Sequence, residues 1–253
     1  LPGGASIMIK EGVLKNPDAT VIIGQHVHPP LQAGKIGMKA GAYMASADEI
    51  YVKIFGKGGH GALPQDCVDP VAIMATMIGA LQQVVSRNAP PTIPSVLTFG
   101  KIVANGSTNI IPDEVSMEGT FRTFDETWRT AAHQKLVKMA EGIAESMGGR
   151  CEFTIVRGYP VLNNHHELTN RTFAYAQDYL GPENVEELPI RMTAEDFAYY
   201  SHEIPAVFYR LGTGNEALGT TSPLHTAKFN IDESALEIGA GLFAYIAVQE
   251  LAN

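Results

Sequence analysis

Apolar and polar positions follow two rhythms along this chain. Over 49–55, EIYVKIF, Ile50, Val52 and Ile54 alternate with Tyr51, Lys53 and Phe55, a period of two that predicts a strand with one buried face. The same rhythm returns over 114–122, where Val115, Met117, Gly119 and Phe121 alternate with Glu114, Ser116, Glu118 and Thr120. Between these segments the period lengthens. Asp69-Pro70 supplies a helix N-cap and a first-turn proline, and Val71, Met74, Met77, Ile78, Leu81, Val84 and Val85 then share one helical face. A second helix is predicted over 126–147, with Trp128, Ala132, Leu136, Met139, Ile143 and Met147 inward and Gly148-Gly149 as its stop. SVLTFGKIV and CEFTIV add two strands, so 49–156 reads β-α-β-β-α-β, the ferredoxin-like order of one antiparallel sheet carrying two helices.

The flanking segments have a different style. Residues 4–14 read as a helix and 20–26 as a short buried strand, followed by a connection marked by proline and glycine, PPLQAGKIGMKAG. After Gly158 come a helix near 166–180, a short helix near 194–202, the strand AVFYRLG and a final helix over about 233–251. The economical organisation is an α/β fold in which one α/β domain, residues 1–46 and 158–253, is interrupted by a small α+β insert at 47–157.

Composition narrows the functional classes. The 253 residues are 45% hydrophobic and carry a formal net charge of −9, which disfavours a general nucleic-acid or anionic-membrane surface. The longest apolar stretch, IGAGLFAYIAV, is too short to span a bilayer. No secretory signal opens the chain, and its two cysteines, Cys67 and Cys151, read as reduced thiols, so a cytoplasmic setting is expected.

Three of the eight histidines have distinctive contexts. His26 ends the strand in GQHVHPP, at the carboxyl edge where α/β sheets bind ligands. His60 lies in GKGGHGALP, where flanking glycines let backbone approach a ligand; a bystander histidine in a flexible loop is the alternative. His225 lies in SPLHTAKF, held by a proline turn before the last helix. His133 is expected on the solvated face of its helix, and His165 and His166 in a surface turn. Asn109 and Arg122 form another candidate pair. If a hairpin brings them to the same end of the sheet, an amide and a guanidinium fork suit a substrate carboxylate; a structural ion pair of Arg122 with Asp113 or Asp125 is the alternative. Phosphate-loop, dinucleotide-binding and nucleophile-elbow patterns are absent.

Taken together, PGGASIMIKEGVL, GQHVHP, ASADEIYVKIFGKGGHGALP, STNIIPDEVSMEGTFRTFD, MTAEDFAYY, RLGTGN and SPLHTAKFNIDESAL resemble the M20 metallopeptidases, in particular their amidohydrolase branch. The resemblance covers essentially the whole chain. It implies a catalytic domain with a dinuclear site for divalent metal (zinc, or manganese, cobalt or nickel) and an inserted lid that also dimerises. By resemblance, His26 and His225 are metal ligands, and His60 reaches the active site of the partner subunit as an oxyanion-stabilising catalytic residue. Asn109 and Arg122 match residues that hold a substrate carboxylate, while His28 stands where relatives often carry an aromatic residue. In the family a long segment precedes the position of Leu1, carrying further metal ligands and a Gln-Pro-x-Glu-Glu motif that includes the general base. The expectation is therefore the C-terminal portion of an amidohydrolase acting on N-acyl amino acids, inactive alone. An M20 aminopeptidase or carboxypeptidase, and a non-catalytic dimerisation or small-molecule-binding module, are the alternatives.

Overall fold

The computed structural model describes residues 3–252; Leu1, Pro2 and Asn253 lie outside the description. In chain order the elements are α1 (Gly3–Lys10), β1 (Ile22–Gln32), β2 (Ile36–Met38), β3 (Gly41–Met44), β4 (Asp48–Phe55), β5 (Gly59–His60), α2 (Pro70–Gln83), β6 (Ser95–Ala104), β7 (Ile110–Ile111), β8 (Glu114–Thr123) and α3 (Glu126–Ser146). They continue as β9 (Arg150–Arg157), β10 (Leu162–Asn164), α4 (His166–Leu180), β11 (Val185–Glu187), a 3-10 helix Asp196–His202, β12 (Ala206–Gly214) and α5 (Ser234–Leu251). The mixed α/β composition follows the periodicities, and the chain divides into two compact units. One comprises residues 45–161 with 192–194; the other comprises 3–44, 162–191 and 195 onward.

In the first unit, the sheet order is β6-β8-β4-β9 with every neighbouring pair antiparallel. Ile50, Val52 and Ile54 of β4 and Val115, Met117 and Phe121 of β8 are buried beneath α2 and α3, as the period of two requires. Asp69 caps α2, its carboxylate accepting from the backbone N–H groups of Val71 and Ala72. The inward stripe of α3 lies over Trp128, Ala132, Leu136, Ala140 and Ala144, whereas Met147 is exposed. Met139 and Ile143 flank the stripe, partly buried against the same core.

Arg129 also falls on that buried stripe, and it has an extensive set of partners. Its Nε and Nη2 donate to Asp48 at 2.9 and 2.5 Å, and its Nη1 donates to both carboxylate oxygens of Glu126 at 3.0 Å. Contrary to expectation, His133 is not a solvated residue: its Nε2 lies 2.6 Å from Asp48 Oδ2. Burial pushes the Asp48 carboxyl upward, but hydrogen bonds from His133 and Arg129 outweigh it and hold the group at about 2.

In the second unit, a mixed sheet has the order β1-β12-β2-β11, with β1 and β12 parallel. α4 and α5 cover one face through Leu168, Ala176, Leu242 and Ile246. Two expectations fail here. The helix predicted over 4–14 ends at Lys10 and continues as turns, with Gly12 at positive φ. The stretch read as a connection contains the end of β1, then β2 and the first residue of β3, because distant strands β10, β11 and β12 supply their hydrogen bonds.

Candidate functional site

Register determines what stands beside His26. The parallel pairing aligns Gly24 with Phe208, His26 with Arg210 and His28 with Gly212. Alternate strand residues share a face, so His26, Phe208 and Arg210 gather on one side of the sheet. Their contacts agree: the His26 and Phe208 ring centroids are 6.2 Å apart, and the Arg210 guanidinium lies 5.1 Å from the Phe208 ring. Gly24 is required by this packing, because a Cβ there would come within 2.7 Å of both Phe197 and Phe208.

His26 is oriented by its own strand. Nδ1 lies 2.8 Å from the carbonyl of Val27, which can only accept, so Nδ1 carries the proton in the neutral ring and Nε2 is bare. Nε2 faces Glu195 Oε2 at 4.0 Å. Burial, opposed by the Val27 hydrogen bond and reinforced by the charges of Arg210, His225 and Arg191, lowers the His26 pKa and favours the neutral imidazole a metal needs. His225 is thus near enough to act electrostatically on His26. It sits in an exposed turn at φ 62°, a left-handed conformation uncommon for a residue other than glycine. Glu195 is raised by burial and by the neighbouring charge of Asp196.

The donor chemistry fits a divalent metal in part, with a bare imidazole nitrogen, a carboxylate facing it and a second histidine in electrostatic reach. Among the described residues, no three histidine, cysteine, aspartate or glutamate side chains form a group that could hold a metal. Catalytic zinc ordinarily takes three protein ligands, so these residues amount to part of a shell.

The remaining candidates lie in the first unit. His60 pairs with Ile110 across the short β5–β7 ladder, and Gly61 N–H donates to the Asn109 carbonyl at 2.8 Å, so His60 and Asn109 share one loop cluster. His60 Nδ1 accepts from Ala62 N–H at 3.1 Å. Arg122 is not with them. It lies near the end of β8 opposite Val96, whereas Asn109 precedes the start of that strand, so nearly the whole length of β8 separates them along the sheet. The alternative ion pairs are also absent among the described residues. Asp113 accepts from Gly58 N–H, Asp125 caps α3, and Arg122 Nη1 donates to the Met192 carbonyl at 3.2 Å. His28 is buried, with Nε2 3.5 Å from Arg191 Nη1, and its pKa is lowered to about 4, first by burial and then by the Arg191 and Arg210 charges.

Periodicity missed Glu195, Arg191, Arg210 and Tyr43. Arg210 carried a signal: an arginine in the middle of AVFYRLG, a run otherwise apolar enough to be buried on both faces.

Comparison with known proteins places this geometry in context. Residues 1–249 match the peptidase family M20/M25/M40. The chain is 37% identical over 250 residues to N-acetylcysteine deacetylase of Bacillus subtilis, covering 98% of this chain and 63% of the relative. It is 44% identical over 163 residues to N-acyl-L-amino acid amidohydrolase of Geobacillus stearothermophilus, covering 64% of this chain and 44% of the relative. Among solved structures it resembles the Bacillus subtilis YXEP protein, described as a dinuclear metal-binding peptidase of family M20. The TM-score is 0.80 at 30% identity, covering 99% of this chain and 62% of the other. The chain spans about 62% of the length of the first relatives it matches.

Proposed function

The chain belongs to peptidase family M20/M25/M40, and on that premise we propose that it forms part of a metal-dependent hydrolase that cleaves the amide bond of N-acyl amino acids. The observation that carries the proposal is His26, whose Nδ1 donates to the Val27 carbonyl so that Nε2 stands bare opposite Glu195 and within electrostatic reach of His225. The names of the N-acetylcysteine deacetylase and the N-acyl-L-amino acid amidohydrolase support the reaction class. His26 and His225 would hold a divalent ion, whose contribution when bound is to acidify a water and polarise the amide carbonyl. This chain's other residues bind and orient. His60, presented at a loop tip, donates to the oxygen that gains charge as the amide carbon becomes tetrahedral. Asn109, in the same loop cluster, orients the acylated amine, and the Arg122 fork holds the α-carboxylate.

Because His60 and Asn109 lie far along the sheet from Arg122, the proposal assigns them to different sites in a homodimer. His60 and Asn109 would serve the partner's site, and the inserted unit would form the contact. Alone, the chain is proposed to lack activity, since its own residues supply only part of the metal shell.

The test compares wild type, His26→Ala and His225→Ala in a protein that carries this chain at the relatives' full length. Each substitution is expected to lower bound metal per subunit and to abolish turnover of N-acetyl amino acids. Unchanged metal content and turnover in both variants would refute the assignment. Saturable turnover by the present chain alone, with added zinc, manganese or cobalt, would refute the incomplete-site reading.

A further inference from the structure

Every residue of β12 from Ala206 to Gly214 is buried, and Arg210 stands in the middle of it at 3% exposure. A guanidinium withdrawn from water costs several kcal/mol unless an anion and hydrogen bonds replace the solvent. Arg210 has no carboxylate in contact with it. Its Nη2 reaches the Met44 sulfur at 3.2 Å, the Tyr43 hydroxyl is its one oxygen neighbour of note, and its Nε is buried with no hydrogen-bond partner among the described residues.

Two further donors beside it are orphaned in the same way. Tyr43 is fully buried, and its hydroxyl has the Arg210 guanidinium as its neighbour and no acceptor for its own proton among the described residues; Arg191 Nε is buried and unpartnered too. Arg191 is fixed next to Tyr43 by its backbone N–H, which donates to the Tyr43 carbonyl at 3.0 Å. The charges of Arg191 and Arg210 act on each other, on Tyr43 and on His28, so these groups form one cluster. Glu195 is within electrostatic range of Arg210, but no hydrogen bond or ion pair joins them among the described residues. His26, whose side chain is 33% exposed, Glu195 at 21% and the half-buried Arg191 form the open rim.

We infer that Arg210, Arg191 and Tyr43 form a binding site for the carboxylate of a small organic acid, in addition to any contact made by Arg122. Guanidinium forks match the two oxygens of a carboxylate, and the phenol supplies a further donor. Two guanidiniums and the Glu195 carboxylate leave one positive charge, which a monoanion balances and a phosphate dianion beside Glu195 would exceed. The inference rests on orphaned donors and not on the reaction proposed above. The acid could be an N-acyl amino acid, through its α-carboxylate, or a simple acid of the kind released when an amide is hydrolysed.

Calorimetric titration of the metal-free chain tests the site and separates these sources. The probes are acetate, benzoate, N-acetylglycine and the uncharged N-acetylglycine methylamide, with chloride at equal ionic strength as the control. Saturable binding of at least one carboxylate is expected, with none for the methylamide or chloride. Preference for N-acetylglycine assigns the site to the α-carboxylate, whereas equal or tighter binding of acetate or benzoate assigns it to simple acids. Arg210→Met and Arg191→Met should each weaken binding at least tenfold, and Tyr43→Phe should weaken it severalfold. Arg171→Met, which removes a surface partner of Glu250, should leave binding unchanged. If Arg210→Met fails to fold, Arg210→Lys keeps the charge, loses the fork and should show the same weakening. Binding of no carboxylate, or binding that survives both Arg210→Lys and Arg191→Met, would overturn the inference.

Discussion

Residues 45–161 and the sheet around His26 each bury an arginine, in opposite ways. Arg129, with its side chain 1% exposed, meets two carboxylates and the carbonyls of Ala47 and Gly158; Asp48 in turn accepts from His133 and from Gly158 N–H. Arg210 is similarly buried and meets a thioether, an aromatic face and the Tyr43 phenol, with no carboxylate in contact. Polar groups removed from water to hold a fold are satisfied, since each unsatisfied one subtracts from a small net stability. An arginine buried without an anion therefore points to a partner that binds later. Arg129 fastens α3 to β4 and to the chain around Gly158, while Arg210 belongs to recognition.

The largest expected effect comes from breaking the satisfied network. Asp48→Asn leaves Arg129 without its main counter-charge and should cost about 3–5 kcal/mol, lowering the melting midpoint by roughly 10 °C. The chain's one tryptophan, Trp128, lies one residue from Arg129, so its fluorescence reports this unit directly. A midpoint within a degree of wild type would remove the network from the stability of the unit.

Arg122 offers an intermediate case, half-buried with one backbone carbonyl as its hydrogen-bond partner. In the protein at the relatives' full length, Arg122→Lys keeps the charge and loses the fork. It should reduce kcat/KM for N-acyl amino acids by about ten- to hundredfold, roughly 1.5–3 kcal/mol. Substrates whose carboxylate is replaced by an amide should lose far less. Equal losses on both substrates, with a lowered melting midpoint, would place Arg122 with Arg129 as a structural arginine.

Acid should separate the two units as well. The Asp48 carboxyl titrates near 2 in the fold, below the ordinary 3.8. Its contribution is present in full above the unfolded value and is lost as pH falls from about 4 through 2. The loss amounts to roughly 2 kcal/mol. Denaturant unfolding followed by Trp128 fluorescence at pH 5 and pH 2.5 measures it. A midpoint independent of pH over that interval would mean that Asp48 is not held ionised by His133 and Arg129.

Elements whose hydrogen bonds and burial repeat locally were legible in the sequence. The strands at 48–55 and 114–123, the Asp69 cap and the helix at His166–Leu180 follow from side-chain period and turn chemistry alone. β2, β3, β10 and β11 were not legible, because three or four residues are too few to show a period and their partners lie far away in sequence. The site divides along the same line. His26 and His225 stood out through adjacent proline and glycine signals and through family resemblance. The proximity of His26, Arg210 and Glu195 depends on a parallel register between strands nearly two hundred residues apart, which no local pattern encodes. The supposed nearness of Asn109 and Arg122 failed for a related reason: a ten-residue strand carries its far end away from the loop that precedes it.

The contrast between the two buried arginines is tested most directly by giving both the same substitution. Arg129→Met and Arg210→Met each replace a buried guanidinium with an apolar chain of similar length, and each melting midpoint is measured against wild type in carboxylate-free buffer. Arg129→Met takes from the buried Asp48 its guanidinium partner and from Glu126 one of its two and should melt several degrees lower. Arg210→Met removes a charge that has no carboxylate in contact with it and should melt at or above the wild-type midpoint. A fall for Arg210→Met as large as that for Arg129→Met would contradict the assignment of Arg210 to recognition and would make both arginines part of the scaffold.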